Sequence, residues 1–236
     1  MSAEIAQQLA IVDAERRRRV AEPRLLEKVT ALKAFQQRRF AQTYADLLQS
    51  ARYAAATRFF LNELYGPTDF TRRDAQFGRV APTVARIFPD EIAETVTILA
   101  ALHALSEILD SAMAIGLAGP QIAPIDYVGA WRRVGRPGDR ERQIALTLRI
   151  AQQLDRVTRL PLLRNALRMM RTPARIAGLG ELQRMLEGGF DTFRAMSGAT
   201  EFIATIETRE RALAADLFAP EGDEAALARA IAALPG

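Results

Sequence analysis

Residues 89–115 read PDEIAETVTILAALHALSEILDSAMAI, the most apolar helical pattern in the chain. Pro89 suits a helix start, and Asp90 and Glu91 in a first turn complement the positive end of the helix dipole. The spacing predicts a helix from Asp90 to Ile115. Ile98, Leu99, Leu102, Leu105, Ile108 and Leu109 cover nearly its whole circumference. A helix that is apolar all round lies inside a bundle, so the remainder of the chain is expected to wrap it. His103, Glu107 and Asp110 interrupt it at spacings of four and three, which place them on one face. His103 is therefore expected to be mostly buried.

The same helical period extends outward from this segment. Upstream, Ile5, Leu9 and Val12 repeat at helical spacing until the charged run Glu15–Arg19. Pro23 opens a second helix carrying Leu25, Leu26, Val29, Leu32, Phe35, Phe40, Tyr44 and Leu47. A third, from Tyr53 to Tyr65, stops at Gly66-Pro67. Downstream, Gly116, Gly119, Pro120 and Pro124 mark a loop. A short helix around Asp126–Val134 ends at Gly135-Arg136-Pro137-Gly138. A long one follows from Asp139 to Arg171, broken or kinked by Pro161. Another spans Leu179 to Met196, with Gly188-Gly189 as a weak point, then Thr200 to Phe218 and Glu224 to Leu234. Alternating β-branched runs are absent, and so is any fixed repeat. The expected fold class is all-α, a compact multi-helix bundle of about eight or nine helices. Its expected organisation is an N-terminal amphipathic helix over 1–22, a bundle domain over 23–220 and a C-terminal helix over 221–236.

Composition narrows the chemistry. With 236 residues, 49% hydrophobic and 25% charged, the chain has the apolar mass of an ordinary globular protein. It has no cysteine and one histidine, which excludes disulfides, thiolate nucleophiles, zinc fingers and iron–sulfur clusters. No metal and no cofactor is expected. The N-terminus lacks a basic start followed by an apolar run, and the longest uncharged stretch, Ser111–Ile125, is shorter than a spanning helix. The expectation is a cytoplasmic, bacterial protein with no transmembrane segment.

The charge is unevenly distributed. Residues 131–175 hold twelve arginines against Asp139, Glu141 and Asp155, while residues 201–236 hold seven acids against three arginines. Arg142, Arg149 and Arg156 are seven apart and share a helix face. Arg164, Arg168, Arg171 and Arg175 are spaced four, three and four apart and share another, apart from the disturbance at Pro173. These arginines either form a solvated face that pairs with the acidic C-terminal helix or receive an anionic partner. The anion-binding candidates are Arg149, Arg156, Arg164, Arg168, Arg171 and Arg175. Nucleic acid is disfavoured, because few aromatics interleave with the stripe and no reading motif accompanies it.

The densest local pattern is FFLNELYGPTDFTRRDAQFGRV, residues 59–80, with five aromatics around a polar helix stop. It reads first as a structural corner whose aromatics anchor a loop, and second as the mouth of a ligand site. The runs FFLNELYGPTDFTRRD, LHALSEILD (102–110), AWRRVGRP (130–137), TRLPLLRNALRMMRTPA (158–174) and GGFDTFRAMSGATEF (188–202) resemble an uncharacterised all-helical family of bacterial proteins, a domain of unknown function. The resemblance extends from about Phe40 to Phe218. It implies a single helical unit of conserved length and transfers no activity, cofactor or catalytic residue.

Three functional readings follow. The favoured one is a non-enzymatic binding or regulatory module that holds a protein or an amphipathic anion in an apolar groove or on the arginine face. The second is an enzyme or small-molecule binder using Glu63, Asp69, Arg73, Asp74, His103 and Glu107. The third is a peripheral membrane or lipid-handling protein, joining the arginines with Leu160, Leu162, Leu163, Leu167, Met169 and Met170. A homodimer through the apolar stripe of the N-terminal helix is a further expectation.

Overall fold

The computed structural model describes residues 2–64, 76–80, 90–160 and 162–236. Among these every regular element is helical. Besides a single helical turn at 76–80, there are thirteen helical segments, more than the eight or nine expected. They are α1 (Ser2–Ala21), α2 (Pro23–Thr43), α3 (Ala45–Gln49), α4 (Ala54–Phe59), a π-turn (Phe60–Leu64), α5 (Asp90–Gly116), α6 (Pro124–Val134) and α7 (Pro137–Val157). There follow α8 (Leu163–Met169), α9 (Arg171–Ile176), α10 (Gly180–Ala195), α11 (Thr200–Leu217) and α12 (Glu224–Ala232). The surplus comes from short pieces that periodicity merges. The helix expected over 139–171 ends at Val157, and its continuation is the separate pair α8 and α9. Proline near such a boundary removes a donor and blocks the preceding turn, so a run of helical period can contain a break.

The apolar helix α5 is the axis, and α1, α2, α6 and α7 all pack on it. Ile92–Gly116 is also long and apolar enough to cross a membrane, with a mean hydropathy of 1.5. In the fold, 56% of that apolar window is buried against the neighbouring helices. The stripe of α1 is spent on the same axis: Ile5 and Val12 are buried, Ile5 against Ala93 and Ala100. The apolar residues offered for a second subunit are thus covered within the chain.

Two larger cores flank this centre. One joins Leu32, Phe35, Met113, Tyr127, Trp131 and Leu217, with α12 closing it through Ala230 and Leu234. The other is aromatic and gathers Tyr44, Phe60, Phe193, Met196 and Phe202. Phe60 lies 5.8 Å from Phe193 and 5.9 Å from Phe202, ring centre to ring centre. Phe59 turns to α10 at Gly188-Gly189, where a Cβ on Gly189 would stand 2.9 Å from its ring. The glycine pair, a weak point by sequence, is a notch for an aromatic ring in an unbroken helix.

Candidate functional site

The polar residues of α5 meet an ion-pair cluster built by α1 and α2. Glu107 is buried, and each of its carboxylate oxygens receives a cation. Arg19 from α1 donates to one, and Lys33 from α2 donates to the other at 2.8 Å. Arg19 also donates through Nη2 to the Glu107 carbonyl at 2.6 Å and through Nε to Ser111 Oγ at 3.0 Å. Burial alone would push the Glu107 carboxyl up. The charges of Lys33, Arg19 and His103 overcome it and hold the group at about 2, below its ordinary 4.5. His103 is half-buried one turn before Glu107, less enclosed than the sequence implied.

Asp110, one turn further on, fares differently. Its contacts are long: Lys33 at 3.8 Å and the Gln36 amide at 3.4 Å. Burial raises its carboxyl above the ordinary value, and the Glu107 charge pushes the same way against the pull of Lys33. Two carboxylates three residues apart on one helix are therefore driven in opposite directions by their surroundings. Polar contacts continue beyond them. The Arg140 guanidinium lies 4.0 Å over the Trp131 ring and donates to Gln143 at 3.0 Å, and Gln143 donates to Ser106 at 2.9 Å. Burial without a close counter-ion pulls the Arg140 guanidinium down, and its Nη2 has no acceptor among the described residues. Between the two larger cores, Arg39 and Tyr44 both donate to Glu210, Tyr44 at 2.6 Å.

This cluster is self-neutralising. The oxygens of Glu107 are occupied by cations of its own chain, which leaves them unsuited to a metal or a substrate. Among the described residues, no group of three or more His, Asp or Glu side chains is arranged to hold a metal ion. Of the other members of that candidate set, the Glu63 side chain and Asp69, Arg73 and Asp74 lie outside the described residues.

The arginine face is the second feature. Residues 156–180 contain six arginines and no acid. Within this stretch, residues 162–179 form an arm in which α8 passes into α9 through Met170, itself in helical conformation at φ −76° and ψ −9°. Arg164 donates to Asp191 at 3.1 Å and Arg171 to Glu187 at 2.8 Å, fixing the arm to α10. The Gln183 amide adds a hydrogen bond to the Leu167 carbonyl at 2.6 Å. The arginines expected to meet the acidic C-terminal helix thus find acids elsewhere, and Arg149 likewise pairs with Glu94 of α5. Arg156, Arg168 and Arg175 form no side-chain ion pair or hydrogen bond among the described residues, although Glu187 feels the Arg168 charge at longer range.

Beside Arg168 and Arg175 runs an exposed apolar ridge. Leu162, Met169 and Ile176 follow one another at seven-residue spacing with exposures of 78%, 78% and 81%. Leu160 and Met170, each 48% exposed, flank it. Of the apolar residues expected to join the arginines, Leu160, Leu162, Met169 and Met170 are exposed, whereas Leu163 and Leu167 are half-buried; Ile176 is not among those expected, and the heptad interval of 162, 169 and 176 is its signal. Arg19 was also missed, hidden in a run of four arginines. It continues Ile5 and Val12 at the same interval, on the stripe of α1 that faces α5.

A family profile described as "Domain of unknown function (DUF8198)" matches residues 15–224. The chain belongs to that family. The DUF8198 match takes in Arg19, Lys33, Glu107 and Asp110 as well as the whole arm. It carries no activity with it. No curated protein and no solved structure matches the chain.

Proposed function

We propose that the protein is a non-enzymatic binding module whose contact surface is the arm over residues 162–179 and whose partner is an amphipathic anion. The observation that carries this reading is the solvent-facing ridge Leu162–Met169–Ile176 beside the unpaired Arg168 and Arg175. Contiguous exposed apolar groups are uncommon on a monomer unless something covers them. Here the flanking side chains that form no ion pair among the described residues, Arg168 and Arg175, are both cationic, which selects what that something is. The buried carboxylates support the same reading from the other side, because their polar capacity serves internal cations.

Calorimetric titration with dodecyl phosphate below its micelle concentration tests the contact. The wild-type chain should bind it. The double variant Leu162→Ser/Ile176→Ser should bind at least roughly tenfold more weakly, as expected when two apolar groups that become partly buried are removed from a contact. Equal affinity in both proteins would place the contact elsewhere.

A further inference from the structure

We infer that the partner of the arm is the surface of an anionic lipid bilayer, with the ridge lying in the headgroup–acyl boundary; this rests on the binding-module reading above. Three observations separate a lipid surface from a discrete partner. The first is shape. Leu162, Met169 and Ile176 are all exposed, and the adjoining cleft between Arg164, Arg168 and Glu187 holds only about 10 Å³. A protein partner draws most of its affinity from anchors seated in pockets, and that cleft is too small to seat a side chain. A fluid acyl layer needs none, because it moulds to whatever projects into it.

The second observation is charge and its placement. Of the six arginines in these 25 residues, Arg159, Arg164 and Arg171 pair with acids from outside the segment, while Arg156, Arg168 and Arg175 form no ion pair among the described residues and leave an excess of positive charge that a negatively charged leaflet attracts. Arg168 and Arg175 immediately precede Met169 and Ile176. Their stems can follow the ridge into the apolar layer while the guanidinium groups reach phosphate oxygens. Arg164 and Arg171 take the opposite role and hold the arm on α10 through Asp191 and Glu187.

The third is side-chain type. Residues 156–180 contain no Phe, Tyr or Trp, so the arm has no aromatic platform on which bases could stack. Leu162 and Ile176 supply apolar bulk, and the two adjacent methionines are pliant groups suited to insertion. The fourteen steps from Leu162 to Ile176 span about 21 Å at helical rise, a length that lies along the membrane plane.

Co-sedimentation with vesicles decides the point. The wild-type chain should pellet with phosphatidylcholine vesicles containing about a third phosphatidylglycerol and remain in solution with phosphatidylcholine alone. Raising the salt should release it. Leu162→Ser/Ile176→Ser and Arg168→Gln/Arg175→Gln should each lower vesicle partition by roughly tenfold. All four positions are exposed, so both variants should melt as the wild type does. Binding to dodecyl phosphate, or to an acidic amphipathic peptide, without binding to the anionic vesicles overturns the bilayer and leaves the docking arm standing. Failure to bind any of the three overturns both. Vesicle binding unchanged in the two double variants overturns the assignment to the arm.

Discussion

Glu107 and Asp110 show how strongly a bundle interior discriminates between two acids of one helix. Glu107 sits at about 2 in the folded chain against an ordinary 4.5. Its stabilising contribution is thus fully present above pH 4.5 and is lost as pH falls from there towards 2. The shift corresponds to about 3 kcal/mol. Asp110 works in the opposite sense, because a raised carboxyl favours the folded state as it takes up a proton. Glu107→Gln should cost about 3–5 kcal/mol in urea denaturation at neutral pH, since Arg19 and Lys33 lose their buried counter-charge. Asp110→Asn should instead leave neutral-pH stability unchanged or raise it. It should also make acid unfolding steeper, because the opposing proton uptake has gone. A Glu107→Gln protein with the wild-type urea midpoint would remove the cluster from any structural role.

Among the elements, the junction of α4 with α10 depends on complementary shape more than on propensity. Glycine weakens a helix interior, and two in succession read as a defect. At Gly189 the missing Cβ makes room for Phe59. Gly189→Ala should therefore destabilise by about 1–3 kcal/mol, despite alanine's better helix propensity. In a Phe59→Ala background most of that cost should vanish, giving a coupling energy measurable in a double-mutant cycle by thermal denaturation. Additive effects would show that the two do not touch in solution. Phe60, one position on, is buried between two aromatic neighbours, and Phe60→Ala should cost about 3–5 kcal/mol.

For the whole molecule, α5 is the element on which the others depend, and α1 is its largest single cover. Removing residues 2–21 uncovers Ala93 and Ala100 and takes Arg19 from Glu107 at the same time. The truncated chain should lose cooperative unfolding. Trp131 is the chain's sole tryptophan, buried 5.5 Å from the Phe218 ring, and its fluorescence reports the change directly. A cooperative transition at the wild-type midpoint would mean that α1 is an appendage, free to serve another subunit. The arm lies at the other extreme, attached mainly through exposed ion pairs and a few hydrogen bonds. Its only buried residue is Ala174, with Leu163, Leu167 and Leu179 half-buried, so its amides should exchange with solvent faster than those of α5.

The helical class, the central place of α5 and the sharing of faces by heptad-spaced arginines were determined by the sequence alone. Each depends on a period of three to four residues, which a linear chain displays directly. The count of helices was not legible to that degree, because a break of one or two residues barely disturbs a period. The partner of each charge was decided only by the tertiary structure. Arg19 and Glu107 are 88 positions apart, and nothing in the run of four arginines distinguishes the one that turns inward. The arginines of the arm could be assigned a face by counting. That Arg164 and Arg171 are anchored on α10 while Arg168 and Arg175 stay unpaired follows from where Asp191 and Glu187 come to lie. Counting fixes direction around one axis, whereas pairing and exposure depend on the distance between two.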